Sequence, residues 1–79
     1  MPTRTRTGGF RWKDEARRLG AALRTERKAL GISATAAAEA AGISRITWYR
    51  LEKGEPGVSW GALLAAAHAI GKQLSLSAT

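Results

Sequence analysis

The sequence contains no cysteine, one histidine and only six carboxylate side chains. Without cysteine the chain forms no disulfide and no thiolate metal site. The lone His68 and the scattered acids are poor material for a metal site or a catalytic acid–base pair. No nucleophile–base arrangement and no phosphate-binding glycine loop is present. We therefore expect a protein that is not an enzyme, with no catalytic residue, metal or cofactor.

Long apolar runs are also missing from the sequence. No run approaches the roughly 20 residues that a membrane-spanning helix needs. Residues 1–9 are polar and lack the apolar segment of a secretory signal. The basic residues are not gathered on one face of a strongly apolar helix, as a membrane-surface binder requires. These absences predict a cytoplasmic protein with no membrane partner.

The composition of the sequence is dominated by positively charged residues and alanine. The 13 Lys and Arg side chains exceed the 6 Asp and Glu side chains, which gives a formal charge of +7 in 79 residues. Such an excess attracts polyanions, with nucleic acid as the first candidate and an anionic membrane surface as the second. Hydrophobic residues make up 44%, and their alanine content favours close-packed helices over a sheet. A core this small makes a second subunit a reasonable expectation.

The chain divides into three predicted parts. Residues 1–13 combine four basic residues with paired glycines and no acid, which is typical of a flexible arm. Residues 14–72 form a helical domain, with helices predicted at about 13–30, 34–41, 45–53 and 60–70. On helix 4 we expect a single apolar side, made of Trp60, Leu63, Leu64, Ala67 and Ile70.

The third part, residues 73–79, alternates apolar and polar side chains. This is a weak indication of a β-strand. A lone strand in a helical domain has no partner within its own chain, so we expect it to pair with its copy across a two-fold axis. Helix 4 is the other candidate for a dimer interface.

The most informative segment runs from Ile32 to Gly54. Ser33 and Ser44 are favourable N-caps for two short helices, and Gly42 supplies the positive φ that a tight turn between them requires. A small side chain at Ala38 permits a close crossing of the two helices. Two short capped helices joined in this way form a helix-turn-helix.

Several separate blocks of this sequence together resemble the Cro/phage-repressor type of helix-turn-helix, also called the XRE family. They are Leu23-Arg24 and Arg27, Gly31-Ile32-Ser33, Ala38-Glu39, Ala41 to Arg45, Arg50 to Glu55, and Ala69-Ile70-Gly71. The resemblance spans residues 19–76. It implies an all-α, lambda-repressor-like domain of four or five helices that binds double-stranded DNA with helix 3.

Carried over position by position, the resemblance assigns a groove-facing set of residues: Ser44, Arg45, Ile46, Tyr49 and Arg50. Helical periodicity agrees, because it places Ile43, Trp48 and Leu51 on the opposite, inward face. Arginine matches the O6 and N7 acceptors of guanine, and isoleucine suits a thymine methyl group. Contacts to phosphates are expected from further residues: Thr47, Tyr49, Lys53, Ser33, Arg4 and Arg6. The alternative for Tyr49 is packing on a loop, and for the others it is an ordinary solvated surface position.

Other matched positions predict how the helices are held together. The resemblance implies an ion pair between Arg27 and Glu52 that orients helix 3 from helix 1. The family's glutamine at the start of helix 2 is Ala34 here, which removes a usual contact to the DNA backbone. A larger apolar residue of helix 2 is Ala37, and a modest aliphatic of helix 3 is Trp48. We expect Trp48 to fill the space that Ala37 leaves.

Two functions from different classes stay open on this sequence. The first is a transcriptional regulator, most simply a homodimeric repressor that binds a two-fold operator. The second adds a protein partner: a chain of this size and type resembles the antitoxin of a toxin–antitoxin pair, which binds its own operator and neutralises an enzyme.

Overall fold

The computed structural model describes the backbone of residues 11–78 and the side chains of residues 11–72. Within this range the chain forms four helices and no strand: α1 (Trp12–Ala29), α2 (Ala34–Ala41), α3 (Arg45–Lys53) and α4 (Trp60–Ala78). Helices α2 and α3 are the predicted helix-turn-helix, and α1 packs against α3 while α4 packs against α2. The predicted fold class, a small all-α helix-turn-helix domain, is confirmed.

Glycine ends both helices of the helix-turn-helix. Gly42 follows α2 with φ of 72°, and Gly54 follows α3 with φ of 70°, a conformation that other residues adopt only at a cost. The amide of Ile43 donates to the carbonyl of Ala38, and the amide of Glu55 donates to the carbonyl of Arg50, each at 3.0 Å. These are Schellman caps, and they stop each helix within one residue.

Serine begins three of the helices. The Oγ atoms of Ser33, Ser44 and Ser59 each accept a hydrogen bond at 3.0 Å from a backbone amide three residues later. Each bond satisfies one of the amides that a helix N-terminus leaves without an intrahelical partner. The start of each of these three helices is therefore encoded locally.

A single tryptophan surrounded by alanines forms the centre of the core. Trp48 of α3 is fully buried, and Ala37 lies in the same hydrophobic cluster. The alanines of α2 meet alanines of α4, which lets these two helices approach closely. The buried members of the cluster are Ala34, Ala37, Ala38, Trp48, Leu51, Ala62, Ala66 and Ile70.

The prediction of a C-terminal strand is wrong. Helix α4 passes through Gly71 and continues to Ala78, because extending an existing helix by one residue costs little once its first turns are formed. A strand at residues 73–79 would also have left its backbone groups without partners in this chain.

The apolar side predicted for α4 is only partly the side that the domain buries. Ala62, Ala66 and Ile70 are buried, whereas Trp60 and Leu64 are 77% and 60% exposed. Close packing between two alanine-rich helices leaves no room for large side chains, so the small residues of α4 lie inside and two of the large ones lie outside.

The boundary of the predicted arm shifts slightly. Helix α1 begins at Trp12, so the last two residues of the predicted arm belong to the helix. Arg4 and Arg6, the predicted backbone contacts in the arm, lie outside the described residues.

Candidate nucleic-acid interface

Two glycines set how closely α1 and α3 approach. A Cβ atom built on Gly20 of α1 would lie 2.6 Å from the carbonyl oxygen of Glu52 and closer still to that of Leu51. A Cβ atom built on Gly54 would lie 2.5 Å from the Cα atom of Arg17. Real Cβ contacts are not this short, so both positions require glycine. The crossing fixes the position of α3 relative to α1.

A buried ion pair links the same two helices. The Nε atom of Arg27 lies 2.6 Å from Oε2 of Glu52, and Nη2 lies 3.2 Å from Oε1. This is a bidentate arrangement, the stronger geometry for a guanidinium and a carboxylate. The side chains are only 11% and 5% exposed. The predicted partners are thus in direct contact.

The ion pair is part of a larger network that also holds α2 and the core. Arg27 Nη1 donates to the carbonyl oxygen of Ile32 at 3.0 Å, just before α2 begins. The indole Nε1 of Trp48 donates to Glu52 Oε2 at 2.6 Å. Trp48 therefore has a partner for its only polar atom although it is fully buried. The network fixes the orientation of α3 as well as adding to stability.

The pKa values of both ions are displaced toward the charged forms. Burial alone raises the pKa of Glu52, but hydrogen bonds from Arg27 and Trp48 and the charges of Arg27 and Arg24 outweigh it, so the pKa lies below the ordinary 4.5. The hydrogen bond that Arg27 donates to Glu52 is the main cause that raises the pKa of Arg27 above its ordinary value. Each group is more easily charged in the fold than alone.

The outward face of α3 carries the groove-facing residues predicted from sequence. Arg45, Ile46, Tyr49 and Arg50 are all exposed, with Ile46 at 65%. Trp48 and Leu51, one helical turn apart, anchor the opposite face in the core. The structure therefore brings the predicted set together on one open surface. An exposed isoleucine between two arginines gives this surface both cationic and apolar character.

The N-terminus of α3 adds hydrogen-bond donors to this surface. Ser44 Oγ accepts from the amide of Thr47 and donates to Thr47 Oγ1 at 2.9 Å. In this arrangement the Thr47 hydroxyl keeps its own proton for an external acceptor. The helix dipole favours an anion at this end. Ser33 lies at the equivalent end of α2 and is also exposed.

Arg45 and Arg50, the two arginines on the outward face of α3, differ in their surroundings. Arg50 Nε lies 3.9 Å from Glu55 Oε1, with both side chains more than 40% exposed. An exposed contact of this length is weak, so Arg50 remains able to bind a ligand. Arg45 forms no ion pair within the described residues. Its position in the first turn of α3 leaves its guanidinium fully available.

One residue of this surface has no role assigned from sequence. Arg24 of α1 lines a shallow cleft together with Tyr49 and Lys53 of α3. Arg24 belongs to one of the sequence blocks that carry the family resemblance. Only the crossing of α1 over α3 shows that it lies beside α3. It extends the cationic surface along the C-terminal half of α3.

The described residues show neither a membrane-spanning helix nor a metal site. Across residues 11–78, no helix has both the length and the apolar character needed to cross a bilayer. No group of three histidine or acidic side chains in the described residues converges as metal coordination requires.

Comparison with known proteins agrees with the architecture. The family model described as a helix-turn-helix domain matches residues 18–77, which include α2 and α3 whole and most of α1 and α4. No curated protein and no solved structure matches the chain. The match covers well over half of the sequence. The chain therefore belongs to the helix-turn-helix domain family, a family of DNA-binding domains.

Proposed function

We propose that this protein is a sequence-specific transcriptional regulator of the XRE type that acts in the cytoplasm as a dimeric repressor. It binds double-stranded DNA with α3 in the major groove. The observation that carries this proposal is the open face of α3, where Arg45, Ile46, Tyr49 and Arg50 are exposed together while Trp48 locks the opposite face into the core.

Base recognition falls to three residues on the outward face of α3. The guanidinium groups of Arg45 and Arg50 have the fork geometry that reads guanine, and Ile46 offers an apolar contact for the methyl group of thymine. Neither arginine is held in a buried ion pair. Both are therefore free to exchange water for base edges when α3 enters the groove.

Phosphate contacts position the helix on the duplex. The Thr47 hydroxyl and the N-terminus of α3 suit one phosphate, and Arg24 with Lys53, which line one cleft together with Tyr49, suit another. Such contacts set register and orientation but do not select sequence. Ala34 replaces the glutamine usual at the start of α2, so we assign α2 a smaller share of the backbone contacts.

Selection of bound duplexes from a random pool tests the proposal directly. The full chain should enrich sites with two related half-sites whose centres are about one helical turn apart. Affinity for the enriched duplex should fall steeply between about 50 and 200 mM salt, because bound phosphates release counterions. No enrichment of any sequence, or binding that does not respond to salt, would reject the proposal.

Arg24 and Lys53 provide a sharper test of the phosphate contacts. Replacing either with alanine should lower affinity for all duplexes to a similar degree and reduce the salt slope by about one. Lys72→Ala is the matched control, since it removes an equally positive and exposed side chain from α4, outside the candidate interface. The control should leave the salt slope unchanged.

A role as an antitoxin is the second candidate. It keeps the same contacts to DNA and adds a protein partner bound elsewhere on the domain. The groove between α1 and α4, lined mainly by apolar residues such as Leu19, Leu23 and Leu63, favours it because it is uncharged apart from Glu26. A stable complex of defined stoichiometry with the product of a neighbouring gene, formed without DNA, would support this function.

A further inference from the structure

A cavity of about 180 Å³ lies between α1, the end of α3 and the loop that leads to α4. A space of this size is unusual in a small domain, because protein interiors are close-packed and leave few voids larger than one water molecule. A water molecule takes only about 30 Å³ in the liquid. We call this space the α1–α3 cavity. Its walls include Trp12, Ala16, Leu19, Leu23, Leu51 and Val58.

The walls of the α1–α3 cavity are mostly apolar. Among the described residues that line it, Glu55 alone carries a charge. The Glu55 side chain is 44% exposed and its carboxylate lies 3.9 Å from Arg50 Nε, which places it at the rim of the cavity. A charged ligand would lose its hydration in the cavity without gaining a buried counter-ion. The cavity therefore suits an uncharged, apolar molecule.

The volume of the cavity and one of its walls set the size and the kind of ligand. An apolar cavity of about 150 Å³ in a protein core holds one benzene molecule, so the α1–α3 cavity, at about 180 Å³, has room for one six-membered ring with a small substituent. Trp12 forms one wall and is 52% exposed, so its indole is open to a stacked or edge-to-face contact with an aromatic ring. We infer that the α1–α3 cavity binds an uncharged molecule with a single aromatic ring.

The α1–α3 cavity lies apart from the surface proposed to bind DNA. Leu51, on the inward face of α3, and Gly54, directly after α3, line the cavity together with Gly20 of α1. The four exposed residues on the outward face of α3 are not among the residues that line it. A ligand therefore contacts both helices beside the crossing that positions α3. The inference goes beyond the proposed function, because this ligand is a second molecule that binds together with DNA and not in its place.

Titration of the isotope-labelled full chain with toluene, followed by the NMR shifts of its backbone amides, tests this inference. Binding should saturate with a dissociation constant of roughly a millimolar or below, as expected for so small a ligand. The amides of Gly20, Gly54 and Gly57, which line the cavity, should shift, and that of Gly42 in the turn between α2 and α3 should not. Shifts that do not saturate, or shifts confined to Gly71 in the groove between α1 and α4, would overturn the inference.

Ala16→Leu is a variant that fills the cavity. Ala16 is a half-buried residue of α1 that lines it, and leucine is also a good helix former. The variant should bind toluene about tenfold more weakly or not at all. Ala21→Leu is the matched control, because it makes the same change on the same helix at an exposed position off the cavity. Equal affinity of the two variants would overturn the inference.

Thermal unfolding gives a second measurement of the same binding. A ligand that binds only the folded state stabilises it, so toluene should raise the unfolding midpoint of the wild type and of Ala21→Leu, but not that of Ala16→Leu. If Ala16→Leu does not fold, the glycine amide shifts of the wild type decide the question. Benzoate and benzylamine, which add a charge of either sign to the same ring, should bind about tenfold more weakly than toluene. Equally tight binding of either would overturn the assignment of an uncharged ligand.

A side chain of the protein itself is the competing occupant of the cavity. Phe10 lies outside the described residues and precedes Trp12 by two positions in the sequence. The variant Phe10→Ala separates the two possibilities. Toluene should bind the wild type and Phe10→Ala with similar affinity, whereas binding to Phe10→Ala alone would mean that the chain's own ring fills the cavity and would overturn the inference. All of these experiments omit DNA, so their failure is distinguishable from failure to bind an operator.

Discussion

Gly20 of α1 lies so close to Glu52 of α3 that a Cβ atom on the glycine would stand 2.6 Å from the glutamate's carbonyl oxygen. The contact is with backbone, which cannot turn aside as a flexible side chain would. The tight crossing of α1 over α3 therefore depends on the absence of one methyl group. Because of this crossing, Gly20 determines the position of the outward face of α3, although it does not lie on that face.

The substitution Gly20→Ala should destabilise the domain. Overpacking a tight contact typically costs about 1–3 kcal/mol, and here the gain of about 1 kcal/mol in helix propensity is not enough to offset it. Gly71→Ala is the matched control, because Gly71 also lies within a helix but a Cβ atom there meets nothing within 4 Å. It should stabilise the monomer slightly. Urea unfolding at low protein concentration measures both, and equal effects would contradict the assigned crossing.

The network around Glu52 predicts unequal effects for single and double variants. Glu52→Gln leaves the buried guanidinium of Arg27 without its carboxylate, which should lower the free energy of unfolding by up to about 3–5 kcal/mol. Arg27→Met/Glu52→Gln removes the stranded charge and keeps an oxygen for the indole of Trp48. The double variant should be less destabilised than Glu52→Gln, which thermal unfolding would show. Additive losses would mean that the two side chains do not depend on each other.

The pKa of Glu52 predicts a specific loss of stability in acid. Because its pKa is lower in the fold than the ordinary 4.5, the carboxylate contributes stability that is fully present above about pH 4.5 and is lost as the pH falls through the lower folded value. The stability difference between wild type and Glu52→Gln should therefore shrink as the pH falls below about 4.5. Urea unfolding at several pH values measures it, and a constant difference would contradict the prediction.

The shared burial of Trp48 and Ala37 in one hydrophobic cluster predicts compensation between two helices. Ala37→Leu inserts volume into the buried cluster that also holds the indole of Trp48, and it should cost about 1–3 kcal/mol. Trp48→Leu alone opens a cavity and removes the donor to Glu52, so it also destabilises. The two changes together should cost less than their sum, as a double-mutant cycle would show. A sum that is strictly additive would mean that the two side chains do not share one space.

The sequence allowed α2, α3 and their turn to be predicted closely because their ends are set by local chemistry. At the start of each helix, a serine accepts a hydrogen bond from the backbone amide three residues later. Directly after each helix, a glycine adopts the left-handed conformation. Both the serine and the glycine can be recognised in the sequence without knowledge of the fold. The inward and outward faces of α3 were predictable for a similar reason, since Trp48 and Leu51 share one side of a short helix.

The long helix α4 was harder to predict because its sequence is apolar on every side. Periodicity alone did not choose its buried face, and only the alanines of α2 determine that Ala62 and Ala66 lie inside. The alternation after Gln73 was misinterpreted as a strand, although helix extension meets every backbone hydrogen bond locally. The place of Arg24 beside Tyr49 depends on the crossing at Gly20, which is a property of two helices and not of either one.

The central claim is that the arginines of α3 distinguish one DNA sequence from another. Fluorescence anisotropy with a selected duplex and a scrambled duplex measures that discrimination for the wild type and for Arg45→Ala/Arg50→Ala, with the fold of each checked by its thermal unfolding. Each lost base contact should cost about 1–3 kcal/mol on the selected duplex, so the double variant should bind the two duplexes almost equally. Discrimination that survives the double substitution in a folded protein would contradict the account.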